Sequence, residues 1–62
     1  MKNYRIVVES YFANNSDFKE YDVYYLDSES LESAKSYTKK VLDYWNTKSK
    51  EVLYFMHDIE EV

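Results

Sequence analysis

Three residue types are missing from this 62-residue chain: cysteine, glycine and proline. Without cysteine there is no disulfide, no thiolate metal site and no cysteine nucleophile. Without glycine there is no phosphate-cradling glycine loop. Every reversal of the chain then falls to Asn, Asp, Ser and Lys. Histidine occurs once, at His57, and a single imidazole does not build a zinc site. Apolar runs are short, and none approaches the ~20 residues that cross a bilayer. The opening Met1-Lys2-Asn3-Tyr4-Arg5 leads straight into strand-like sequence with no small-residue cleavage site, so a secreted or membrane-inserted product is not expected and the cytoplasm is the default address.

Positive charge is also scarce. Eight Lys and Arg face twelve Asp and Glu, a net charge of −4. The imbalance is uneven: residues 31–50 carry five lysines against Glu32 and Asp43, a local +3, and the remainder carries −7. Such a remainder repels bare nucleic acid, whose binding depends on neutralising phosphates. It attracts a partner with a basic groove instead.

What the chain has in abundance is tyrosine, eight in all, within a composition 45% hydrophobic and 32% charged. That balance predicts a folded chain. Residues 1–62 make one domain with one core. A chain of this length buries only about 60% of the surface its unfolded form exposes. Without disulfides or a metal, oligomerisation is the remaining reinforcement, and a homodimer is expected.

Tyr4–Ala13 is rich in β-branched and aromatic residues and reads as a strand. Asn14-Asn15-Ser16-Asp17 is a turn cluster, and a second strand follows at about Lys19 to Asp27, closing an antiparallel hairpin. The period then changes. Leu31, Ala34, Tyr37, Thr38, Val41, Leu42 and Trp45 share one arc of a helix, with Lys35, Ser36, Lys39, Lys40 and Asp43 opposite. Ser30 is the expected N-cap, with Glu29 and Glu32 at the positive end of the helix dipole. Asn46 is expected to end the helix in the left-handed conformation, since Thr47 is β-branched. A last strand at about Glu51 to Ile59 runs into an acidic tail, Glu60-Glu61-Val62. Short connections and the right-handed crossover rule give sheet order 2-1-3. The prediction is an α+β, two-layer ββαβ domain: a three-stranded antiparallel sheet with one helix on one face.

One helix covers one face of three strands, and the other face should alternate to polar residues. Here all three strands are apolar on both sides. Strict parity assigns Ile6, Val8, Phe12, Leu26, Leu53, Phe55 and Ile59 to the helix side. The open face then receives Val7, Tyr11, Tyr21, Val23, Tyr25, Val52, Tyr54 and Met56, fringed by Arg5, Glu9 and Asp27. Tyrosines on an exposed strand are good β-formers whose hydroxyls stay wet. A contiguous apolar face on a small domain is also an interaction surface, and tyrosine suits one. The second reading is favoured, with Val7, Glu9, Tyr11, Tyr21, Val23, Tyr25, Tyr54 and Met56 as the protein-binding residues.

Catalytic groups do not assemble in the pattern. His57 and Asp58 are neighbours on a strand and point to opposite faces, so no dyad forms, and His57 reads as a structural residue near the strand end. Asp58, Glu60 and Glu61 read as a solvated acidic tail, and Lys35, Lys39 and Lys40 as a solvated helix face. No catalytic residue, cofactor or metal is expected. The alternative is a single-stranded nucleic-acid or nucleotide module stacking bases on the sheet tyrosines, which the acidity of the sheet segments disfavours.

The run Tyr24-Tyr25-Leu26-Asp27-Ser28-Glu29-Ser30-Leu31-Glu32-Ser33-Ala34-Lys35, closing a hairpin and opening a helix, resembles a pattern common in small proteins of phages and other mobile elements. Size, acidity and aromatic content are similar to those of small phage inhibitors of host enzymes, including the dimeric, DNA-mimicking inhibitors of uracil-DNA glycosylase. The likeness is one of layout, and no site residue is carried over from it. It implies a stoichiometric blocker of a host nucleic-acid-processing or defence protein, acting in the host cytoplasm.

Overall fold

The computed structural model describes Met1–Val62, with every side chain except that of Ser16. The chain forms β1 (Lys2–Phe12), β2 (Asn15–Ser28), α1 (Leu31–Lys48) and β3 (Val52–Glu61), in that order. The sheet is antiparallel throughout, with strand order β2-β1-β3. The predicted ββαβ topology is the one observed.

The hairpin is longer than the sequence pattern marked. Both strands run on to a reversal at Ala13–Asn14, and the Ser16 side chain of the expected turn lies outside the described residues. A tight two-residue hairpin turn of the favoured kind requires positive φ. No described residue has it. The reversal is spread out instead: Tyr11 pairs with Lys19 but Phe12 pairs with Asn15, a register shift at the hairpin tip. There the Asp17 amide donates to Asn15 Oδ1 at 3.3 Å.

Ser30 caps α1 as expected, its hydroxyl accepting from the Ser33 amide at 3.1 Å. The C-terminal end departs from expectation. Asn46 is helical, and α1 continues to Lys48, with Ser49 as C-cap at φ −104° and its amide bonded to the Trp45 carbonyl at 2.8 Å. The reason lies in β3. The Asn46 amide donates to the Tyr54 carbonyl at 3.0 Å and accepts from the Tyr54 N–H at 2.8 Å. A side chain engaged that way holds its own backbone in the helix.

Tyr4, Ile6 and Val8 of β1 and Ala34 and Leu42 of α1 form the buried apolar core, joined by Ser10 and Thr38. Ala34 and Thr38 are small enough to let the helix approach the sheet. Leu26, Trp45, Tyr54, Met56 and Ile59 pack around them, half-buried. The buried Tyr4 is a core residue that parity overlooked.

The last strand corrects the face assignment. Val7 pairs with Asp58 and the next residue, Val8, with Met56, so His57 is an extra residue, a β-bulge. Beyond it the pleat is inverted. Val52, Tyr54 and Met56, expected on the open face, lie on the helix side, whereas Leu53 and Phe55, expected in the core, lie on the open face. Phe12 keeps its helix-side parity but is 49% exposed. An 18-residue helix spans about 27 Å, and the molecule is 39 Å long, so the hairpin end projects past its cover. The expected acidic tail is part of β3: Glu60 pairs with Arg5, Glu61 with Lys2, and the Val62 amide donates to the Asn3 carbonyl at 2.9 Å.

Candidate protein-interaction face

The antiparallel register sets the open face residue by residue. Arg5 lies between Tyr25 and Glu60, Val7 between Val23 and Asp58, Glu9 between Tyr21 and Phe55, and Tyr11 between Lys19 and Leu53. Six of the eight residues expected there are brought together: Val7, Glu9, Tyr11, Tyr21, Val23 and Tyr25. Tyr54 and Met56 are not. Their places are taken by Leu53 and Phe55, with His57 and Asp58 beside them.

The bulge also overturns the reading of His57 and Asp58 as opposed. Asp58 stands across from Val7, and His57 packs edge-on against Tyr21 with ring centroids 5.0 Å apart, so both belong to the open face. A signal for this existed in the sequence: Met56 and Ile59 are three apart, with two polar residues between them, a spacing that strict alternation does not produce.

Aromatic contact knits the face together. Tyr11 stacks on Phe55 at 5.5 Å with the rings 6° from parallel. Its centre is Glu9, whose side chain is only 19% exposed, accepting from the Tyr21 hydroxyl at 3.3 Å and pairing with the Lys19 ammonium at 3.4 Å. Around that centre the surface is bare: Tyr25 is 65% exposed, Tyr21 and Val23 52% each, and Phe55 45%. Both cations of this face are engaged, Lys19 with Glu9 and Arg5 with Glu60. Asp58 and Asp27 add further negative charge, Asp27 accepting from the Asn3 side-chain amide at 2.8 Å.

The opposite side of the sheet carries a second aromatic group that parity had split apart. Trp45 packs edge-on against Tyr54 at 5.3 Å and tilts against Tyr24 at 5.9 Å. This cluster ties α1 to the sheet. No protein-family model, curated protein or solved structure matches the chain. Among the described residues, no helix is long and apolar enough to cross a membrane.

Proposed function

We propose that this protein is a non-enzymatic binding module that docks its open sheet face onto a partner protein with a basic surface. The observation that carries the reading is the exposure of Tyr21, Val23 and Tyr25 on β2 and of Phe55 on β3, on a face where, among the described residues, Arg5 and Lys19 are both paired with its own carboxylates. Large apolar rings set among acids fit the anatomy of an interface core with an acidic rim. The same arrangement disfavours stacking of single-stranded nucleic acid, because among the described residues of this face Arg5 and Lys19 are already paired with Glu60 and Glu9. The finer reading, a phage-encoded blocker of a host nucleic-acid-processing or defence protein, rests on the acidity and the small-phage-protein layout of the sequence.

The test compares the wild-type protein with Phe55→Asp, immobilised side by side and exposed to bacterial lysate. The expected result is a basic protein held by the wild type and lost by the variant, with the partner's affinity for the wild type at least tenfold higher. Identical retention by both overturns the open face as the site. A salt-sensitive shift of single-stranded oligonucleotides that Phe55→Asp abolishes would support the stacking alternative.

A further inference from the structure

We infer that two copies of this chain join edge to edge through β2, antiparallel and centred on Val23, into one six-stranded sheet. This goes beyond the reading above, since the surface used is the edge of the sheet and not its open face.

The first support is the direction of the backbone groups. β1 is central, so β2 and β3 are both edges. The edge of β3 is closed at Tyr54, whose N–H and C=O are both taken by the Asn46 amide in the manner of a neighbouring strand. Tyr54 therefore points away from β1, and Ser10 opposite it points towards β2. The Val62–Asn3 bond agrees, turning the odd-numbered residues of β1 towards β3. Directly opposed residues of an antiparallel pair turn the same way relative to each other, so Glu20, Asp22, Tyr24 and Leu26 face β1. The N–H and C=O groups of Lys19, Tyr21, Val23, Tyr25 and Asp27 then point out of the sheet. A long, regular row of such groups is a template for another strand.

The second support is that β2 complements itself. With the two-fold axis at Val23, Tyr21 faces Tyr25 of the second copy, and Lys19, half-exposed and already beside Glu9, faces its Asp27 as a second carboxylate. Both are favourable cross-strand pairs. Moving the axis to Tyr21 sets Tyr25 against Asp17 and Lys19 against Val23. Moving it to Tyr25 sets Val23 against Asp27 and Tyr21 against Glu29. Of these three registers, the one at Val23 alone pairs opposite charges at both ends.

The third support lies beside the same edge. Asn46 holds α1 to β3, and an apolar groove of about 260 Å³, with Trp45 in its lining, remains between the helix and β2. Tyr24, Leu26, Tyr37 and Val41 are among its walls, and Tyr37 is 57% exposed. Edge pairing sets two such grooves side by side across the axis and covers apolar surface that the helix leaves bare.

Analytical ultracentrifugation tests the arrangement. The wild type is expected to be a concentration-dependent dimer. Val23→Pro removes an N–H that points out of the sheet, so the monomer keeps its ladder and its circular dichroism but should not dimerise. Lys19→Glu and Asp27→Lys should each weaken the dimer about tenfold, and mixing them should restore it as a heterodimer with opposite charges at both ends. Phe55→Asp, on the open face of β3, should dimerise like the wild type, which separates this inference from the open-face reading. A wild type that stays monomeric at millimolar concentration overturns the inference, as does a mixture no tighter than its components. Should Val23→Pro fail to fold, the charge-swapped mixture alone decides.

Discussion

At the scale of single residues, Asn46 does the most unexpected work. An asparagine in the last turns of a helix is weakly favoured by propensity and often ends the helix. Here its amide reaches β3 and satisfies both backbone groups of Tyr54, at 2.8 and 3.0 Å. That contact covers the edge of β3 at Tyr54 and ties α1 to that strand beside the Trp45–Tyr54 pair. Asn46→Ala leaves both Tyr54 groups without their partner and should cost about 1–3 kcal/mol, read as a lower urea midpoint with unchanged slope. Asn46→Asp keeps an acceptor for the Tyr54 N–H but loses the donor, and its midpoint should fall between the two. Leu42, buried against Ile6 and Val8, is the complementary case of pure packing. Leu42→Ala should cost about 2–5 kcal/mol, a large fraction of what a domain this small has, and thermal denaturation would show it.

At the scale of elements, the bulge at His57 decides which half of β3 faces the helix. Deleting His57 would set Met56 next to Asp58, and the ladder would run on unbroken with Asp58 opposite Val7 and Met56 opposite Val8. Phe55 and Leu53 would stay on the open face and Tyr54 on Asn46 and Trp45. A cooperative thermal transition is therefore expected to survive the deletion, and its loss would show that β3 needs the added local twist of the bulge. His57→Ala keeps the residue count, gives up only the edge contact with Tyr21, and should cost no more than about 1 kcal/mol. Comparing the two variants separates the length of the strand from the chemistry of its side chain.

At the scale of the whole molecule, charge is layered. Lys35, Lys39, Lys40 and Lys48 lie exposed on α1, and the acids gather on the sheet. A partner approaching the open face meets Asp27 and Asp58, neither of them in an ion pair among the described residues. The association rate with that partner should fall as salt rises, with the dissociation rate little changed, in stopped-flow or surface-binding kinetics. A salt-independent association rate would count against charge as the guide.

The local elements were legible in the chain because each rests on short-range physics. Period-two and period-3.6 patterning marked the three strands and the helix, Ser30 marked the start of the helix, and short connections marked the sheet order. The open face was legible in β1 and β2, where the register is regular from Lys2 to Lys19's partner Tyr11. In β3 it was not, because Val52 to Met56 are apolar on both sides and parity has nothing to hold once a bulge intervenes. The helix end was misplaced for a related reason: Asn46 finds its partner eight residues away on another element. Composition by itself determined that this chain folds without disulfides or glycine turns and keeps more apolar surface than one helix can cover. Only the tertiary structure decided which tyrosines that surface shows, since a single inserted residue and one side-chain amide, neither visible in local pattern, choose the face and the free edge.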